Sequence, residues 1–345
     1  MATQLVQSTP DQESSSSLST PRRKSWWLLF WIALPVVLWA VFRNISFQDI
    51  WATLRNLSPG SILLLLAVNV VILVSMSGRW WLILRVQGYR RSYWSLAAYR
   101  LAGFGITYFT PGPQLGGEPL QVYLLTQREQ VPVATAMASV TLDKLLELLA
   151  NFTFLLIGVA IILASGMLGE ETSYLFLLLP VGLLFLPAGY LLALWKGRQP
   201  VTKLIGRSPS RLSGSQRQAR WPTALQSAEE EAGRFFHDHP GTILAALVVS
   251  FLIWVLLVLE FGLALRFLGL RLSLAQVITL LTAARLAFLL PIPAGIGALE
   301  TGQMLAMSLI GASPVIGMSL SFMIRVRDAA LGGLGLWWGG FLTRQ

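Results

Sequence analysis

An all-α, polytopic membrane protein is the fold class this sequence predicts, and three observations carry that expectation. Of its 345 residues 54% are hydrophobic and only 12% charged, with a mean hydropathy of +0.64. Several apolar runs reach the roughly 18–20 residues that a helix needs to cross a bilayer. The basic residues fall mostly in the polar stretches between those runs. The net charge of +10 is therefore read as topology and contact with an anionic membrane surface, not as a nucleic-acid footprint. The spans exclude a soluble enzyme or a nucleic-acid binder. With no cysteine, disulfides, thiolate metal sites and cysteine nucleophiles are excluded too. The two histidines, His237 and His239 of "FHDHP", have no further ligands around them and read as solvated. No metal and no cofactor are expected.

Residues 1–24 are rich in Ser, Thr and Gln and read as a disordered tail. The basic flank "PRRK" then leads into an apolar run. With no small-x-small cleavage site behind it, residues 25–42 read as an uncleaved first transmembrane helix with a cytoplasmic N-terminus. "FQDIWATLRNL" (47–57) mixes apolar and polar residues, as a short interfacial helix does. Long runs follow near 60–86, 132–165, 172–195, 241–267 and 314–342, with shorter interrupted segments at 92–127 and 273–311.

Charge orients these pieces. Residues 79–100 hold Arg79, Arg85, Arg90, Arg91 and Arg100 with no acid, and the 196–240 loop opens with seven basic residues up to Arg220, again with no acid. Both stretches are expected in the cytoplasm, and the acidic turn "GEET" (169–172) outside. Both ends of 92–127 then lie on one side, so this segment must dip into the membrane and return. The same reasoning makes 273–311 dip from the outer side, although Arg266 and Arg271 there run against the rule. The expectation is about six transmembrane helices plus two re-entrant broken hairpins, with both termini cytoplasmic.

An internal repeat supports that arrangement. "TPGPQLGGEPLQ" (110–121) is echoed by "PIPAGIGALETG" (291–302), with Glu118 and Glu300 182 residues apart. A step of 25 residues from each glutamate reaches Asp143 and Arg325 respectively. Repeat 1 is placed at 60–165 and repeat 2 at 241–342, in opposite topology. An inverted repeat with broken helices meeting near the midplane is common among secondary transporters. Broken helices present free N–H groups that suit an anion, and Gly116, Gly117, Gly295 and Gly297 permit close backbone approach. Ordinary kinks in packed helices are the bland alternative. Two kinks in register, each followed by a glutamate, favour a site.

Buried charge is the second argument. Asp143 lies about 12 residues, roughly 18 Å, into its span, and Arg325 is similarly deep in the last one. Each ionised group there costs at least about 2.5–3.5 kcal/mol unless paired or hydrated. Asp143 and Glu147 share one helix face beside Lys144; Arg325, Arg327 and Asp328 form a second cluster, and Arg285 precedes the second break. Arg100 occupies the matching place before the first break, and Glu260 is a candidate for proton coupling or a paired structural acid. An ion-pair network joining the two repeats would explain such charges. Small residues hold bundles together without that cost, so polar substrate contact is preferred.

"TPGPQLGGEPLQVYLL", "ASVTLDKLLELL" and "PIPAGIGALETGQMLAMSLIG" followed by "FMIRVRDAA" together resemble the transmembrane part of lysylphosphatidylglycerol synthases, of the multiple peptide resistance factor type, and its stand-alone flippase-like relatives. The resemblance covers about 60–342. It implies a cell-membrane protein that handles lipids with charged head groups, and it carries Glu118, Asp143, Lys144, Glu147, Glu300 and Arg325 as polar site positions. The family often has an arginine where this chain has Gln121, and glycines are common where Pro113-Gln114 and Ala294 stand. No segment here would house the aminoacyl-transferase domain of the full synthases, so the chain is expected not to make lysyl-lipid itself.

The basic half of the 196–240 loop suits anionic lipid. "TALQSAEEEAGRFFHD" (223–238) reads either as a surface helix dipping Phe235 and Phe236 into the interface or as a solvated linker helix. The expected function is that of a lipid flippase, not an enzyme. It would carry a lipid with an anionic or zwitterionic head group between leaflets. Its phosphate would meet Lys144, Arg325, Arg327 and the helix starts, while the acids balance charge, accept a cationic group or carry protons. The alternative is a membrane enzyme or an accessory subunit acting on a lipid-linked substrate, with a lipid-modifying enzyme as partner.

Overall fold

A computed structural model describes residues 47–55, 57–110, 116–166, 174–206, 220–290, 292 and 295–344. The expected tail at 1–24 and the expected first span at 25–42 lie outside the described residues, as do residues 111–115 of the first expected break. Every regular element among the described residues is helical. The short helix α1 (Phe47–Leu54) leads into α2 (Pro59–Val86), α3 (Tyr93–Phe109), α4 (Glu118–Arg128) and α5 (Val133–Ala164). A 3₁₀ turn (Tyr174–Leu177) opens α6 (Leu178–Trp195), and α7 (Pro200–Gly206) and α8 (Arg220–Asp238) follow. The chain closes with α9 (Pro240–Phe267), α10 (Leu274–Leu289), α11 (Ala298–Leu309) and α12 (Pro314–Arg344).

Among the described residues four helices are long and apolar enough to cross a membrane: Pro59–Val86, Val133–Ala164, Leu175–Trp195 and Pro240–Phe267. The protein is thus a multi-pass integral membrane protein by composition and length. α12 has the length, 31 residues, but Arg325, Arg327 and Asp328 interrupt its apolar run. Local sequence explains where the helices begin and end. Pro59 starts α2 with no backbone N–H to lose, and Ser58 Oγ accepts the Ser61 N–H at 3.1 Å. Ser273 and Gln276 form a reciprocal capping box at the head of α10. Gly166 and Gly269, at φ +66° and +91°, close α5 and α9 with the left-handed turn that glycine adopts without strain.

The helix lengths repeat. α2 to α5 run 28, 17, 11 and 32 residues; α9 to α12 run 28, 16, 12 and 31. Each middle pair is a helix, a break and a helix folded back on it. Gly117, at the head of α4, lies so close to α3 that an added Cβ would sit 2.1 Å from the Gly103 carbonyl oxygen. In the other pair Gln303 of α11 donates to the Leu280 carbonyl of α10 at 2.8 Å. α2 packs on α9, α3 on α12, and α10 on α5. Glycine sets the tightest of these contacts, since backbones can approach where no Cβ intervenes. An added Cβ at Gly335 of α12 would meet the Leu101 oxygen of α3 at 2.0 Å, and one at Gly105 would meet the Gly332 oxygen at 2.6 Å.

In the 196–240 segment α8 packs on the bundle through one face. Ala228, Ala232 and Phe235 are buried against Leu142, Leu191 and Leu194 of α5 and α6, so Phe235 does not dip into an interface, while Gln226, Glu230 and Arg234 on the other face are exposed. The carboxylate of Glu229, also buried, accepts the Tyr190 hydroxyl at 2.7 Å, the Thr202 hydroxyl at 2.7 Å and the Val201 and Thr202 N–H groups at 3.0 Å. This one side chain ties α7 to α8 and both to α6.

Candidate functional site

The first charge cluster is built by α2, α3, α4 and α5. Asp143 and Glu147 lie one turn apart on α5, so both carboxylates leave the same helix face. Asp143 accepts from Arg79 Nε and from Arg100 NH1, each at 2.7 Å. Glu147 accepts from Arg100 NH2 at 2.8 Å and from Lys144 Nζ at 3.0 Å. Lys144 reaches on to Glu118 at 3.1 Å, which joins the head of α4 to α5. Three cations and three carboxylates thus form one connected, formally neutral network. Glu118 and Lys144 stand at its more open end, Arg79 and Asp143 at its buried end.

Arg79 is the residue that sequence reasoning misplaced. It was grouped with the basic residues flanking a span, yet its side chain is only 2% exposed and it also donates to Ser250 of α9 at 2.9 Å. Its planar fork links three helices, as an arginine paired with a carboxylate can. Arg100, assigned less firmly to the cavity, is a full member of the cluster.

The second cluster is built by α9, α11 and α12. Arg325 is bound to Glu300 by two hydrogen bonds, and its NH2 donates to the Gly295 carbonyl at 3.0 Å. Arg327 pairs with Glu260 and with Asp328, the latter at 2.8 Å. Asn69 of α2 donates to the same Glu260 oxygen at 3.1 Å, so Glu260 is a paired acid tying α2 and α9 to α12. Arg285 of α10 stands apart, with its guanidinium carbon 4.9 Å from the Trp254 ring centre.

The helix starts depart from the expected anion nest. Glu118 turns back on its own N-terminus and accepts the Gly116 N–H at 2.8 Å; Glu300 accepts the Gly297 N–H at 2.8 Å. The Gly117 N–H donates to Thr107 Oγ1 at 3.0 Å. The protein's own carboxylates therefore hold the place where a ligand oxyanion was expected, as acidic residues in a first helical turn commonly do. Lys144, Arg325 and Arg327, expected to meet a phosphate, are likewise each bound to a carboxylate.

A cavity of about 1870 Å³ lies between the halves. Glu118, Lys144, Glu147 and Arg100 line it from the first cluster, and Glu260, Arg285, Arg327 and Asp328 from the second. Asp143, Glu300 and Arg325 stand behind this wall. The rest of the lining is mostly aliphatic and aromatic, and Trp94, Leu186, Leu290 and Leu305 at its edge are well exposed on the apolar flank. It exceeds the roughly 300–1,000 Å³ of a small-molecule pocket. Among the described residues no group of three or more His, Asp or Glu is placed to hold a metal.

Residues 26–334 match the family model described as the lysylphosphatidylglycerol synthase TM region. Among similar curated proteins is a UPF0104 membrane protein of Methanocaldococcus jannaschii, 24% identical over 298 residues, covering 83% of this chain and 86% of the relative. A UPF0104 membrane protein of Methanothermobacter thermautotrophicus is 23% identical over 300 residues, covering 84% and 88%. A second one from that organism is 29% identical over 170 residues, covering 49% and 47%. No solved structure matches. The chain belongs to the lysylphosphatidylglycerol synthase transmembrane family.

Proposed function

We propose that this member of the lysylphosphatidylglycerol synthase transmembrane family moves a lipid with a charged head group between the leaflets of the cell membrane. The observation that carries the reading is the cavity itself. It combines a long apolar lining with charged groups drawn from both halves of the molecule, and the apolar side chains of Trp94, Leu186, Leu290 and Leu305 are exposed at its edge. Tails can enter sideways from the bilayer while the head group meets the charges, which would otherwise be costly at that depth.

The matching helix lengths and the packing of α2 on α9, with α3 on α12 and α10 on α5, support an inverted repeat. In that arrangement α3–α4 and α10–α11 are re-entrant hairpins, both termini are cytoplasmic, and 25–42 and α12 complete about six spans. Each hairpin carries a glutamate that caps its own helix start and holds a cation on the following long helix: Glu118 with Lys144, Glu300 with Arg325. Breaking and remaking those two pairs in alternation is a simple way for the cavity to open to one leaflet and then the other. The lining carboxylates are all bound to cations, which favours transport over general acid–base catalysis by a free carboxyl group.

The test is a leaflet-accessibility assay in proteoliposomes, with acyl-labelled phosphatidylglycerol and a membrane-impermeant quencher. Protein should remove most of the protected inner-leaflet pool, and Glu118→Gln or Arg325→Ala should restore it. If no lipid with a charged head group crosses faster with protein than without, the reading fails.

A further inference from the structure

We infer that the cavity recognises its lipid through an anion, a phosphate or comparable oxyanion seated on Arg285, and offers no free place to a cationic head group. The inference rests on the lipid-carrying reading above and narrows its substrate class.

The charged side chains of the cavity wall fall into two kinds. Arg79, Arg100, Lys144 and Arg327 each hold a carboxylate at ion-pair distance. Glu118, Glu147, Glu260 and Asp328 are each held by one of those cations. Arg285 alone among the described lining charges holds no carboxylate and makes no hydrogen bond. Asp328, Glu260 and Glu147 act on it only from beyond ion-pair distance, and each is already bound to another cation. What Arg285 does have is an aromatic support. It lies over Trp254, which in turn stacks on Phe154 with ring centres 4.1 Å apart and planes inclined by 15°. The indole lies within cation–π distance of the guanidinium and supports its charge without using its N–H donors.

This leaves the N–H donors of Arg285 without an acceptor among the described residues, beside a mostly apolar space. A guanidinium in that state is costly. A two-oxygen anion meeting the fork satisfies it, through the bidentate geometry that arginine offers to phosphate. A cationic group has no equivalent. To bind Glu118 it would have to displace Lys144, which would then keep only Glu147, already shared with Arg100; the neutral network would carry one excess positive charge, so the exchange brings no net gain. The cavity's size and apolar wall fit the tails of the same molecule, which distinguishes a lipid from a free oxyanion.

The experiment measures binding by native mass spectrometry of the purified full chain in neutral detergent. The ligands share acyl chains and differ in head group: phosphatidic acid, phosphatidylglycerol, diacylglycerol and lysyl-phosphatidylglycerol, with inorganic phosphate as a competitor. Wild type should prefer the two anionic lipids to diacylglycerol, which carries no oxyanion, by about tenfold or more, a difference of about 1.4 kcal/mol. Arg285→Gln should bind all four alike while still retaining diacylglycerol, which shows that it is folded; Arg285→Lys should keep part of the preference. Equal binding of all head groups by wild type, tighter binding of the lysyl lipid, or a preference that survives in Arg285→Gln would overturn the inference. So would inorganic phosphate competing as well as the lipids. Anion-selective binding without flipping would sink the transport reading and leave this inference standing. Flipping that ignores head-group charge would do the reverse.

Discussion

Arg79 and Asp143 meet at 2.7 Å across α2 and α5, both deeply buried, with Ser250 of α9 closing the contact from a third helix. Such a pair is not a strong source of stability in itself, because two charges have been taken out of water. Removing one partner is different, since the other is left buried and uncompensated, at a cost of about 3–5 kcal/mol. Arg79→Met and Asp143→Asn should each lower the thermal midpoint sharply in detergent and reduce yield. The double variant should recover much of the loss. Two single variants as stable as wild type would show that the pair is not as buried as described.

Gly335 offers a cleaner test of the packing. Its added Cβ would press on the backbone oxygen of Leu101, which cannot turn aside as a flexible side chain would. Gly335→Val should separate α3 from α12 and destabilise by about 1–3 kcal/mol or more. Gly333, two residues away, has nothing within 4 Å of its added Cβ. Gly333→Ala should be neutral or stabilising by up to about 1 kcal/mol, since glycine is a poor helix former. Thermal midpoints of the two variants side by side decide the matter; equal effects would contradict the close approach.

Glu229 should make the docking of α7 and α8 sensitive to acid. Burial pushes its carboxyl upward, but hydrogen bonds from Thr202, Tyr190 and the Thr202 and Val201 N–H groups outweigh it, and the net direction is down. A carboxyl held below its unfolded value contributes stability that is fully present above the ordinary glutamate range and lost as pH falls through the lowered value. Limited proteolysis within 196–240 should therefore be slow and constant from neutral pH down to the ordinary glutamate range, and accelerate as pH falls through and below it. Glu229→Gln should be cleaved faster at neutral pH. Protection that fades between pH 7 and 6 would assign the effect to another group.

Much of this architecture was legible because it is written in patterns that a bilayer enforces. Run length gave the long helices, and the interrupted apolar segments beside Glu118 and Glu300 marked where each pair of shorter helices stands. Even the helix-capping role of Glu300 was readable in principle, since Gly297 and Glu300 stand at capping-box spacing. That Glu118 folds onto Gly116, and so takes the place of a ligand, depends on a side-chain rotamer that sequence does not specify. Arg79 was misread because four other arginines follow it by residue 100; its depth within an apolar run, seven residues before α2 ends at Val86, was the available signal. In α8 the residues Ala228, Ala232 and Phe235 recur at helical spacing as a narrow stripe of small and aromatic side chains, a pattern that suits packing on other helices better than lying in an interface. Arg285 was singled out by position alone. That it holds no carboxylate among the described residues appears only when every neighbouring charge has been paired.

The central claim is that the charge clusters move lipid and do not merely hold helices together. Glu118 and Lys144 test it best, because their pair stands at the open end of the network with side chains 25% and 18% exposed. The decisive measurement follows lipid flipping in proteoliposomes and thermal midpoint on the same preparations of wild type, Glu118→Gln and Lys144→Met. The account predicts that flipping per folded protein falls about tenfold or more in both variants, beyond any fall in the folded fraction that the thermal midpoint reports. Flipping at the wild-type rate in both variants, or loss of flipping that merely tracks loss of folded protein, would contradict it.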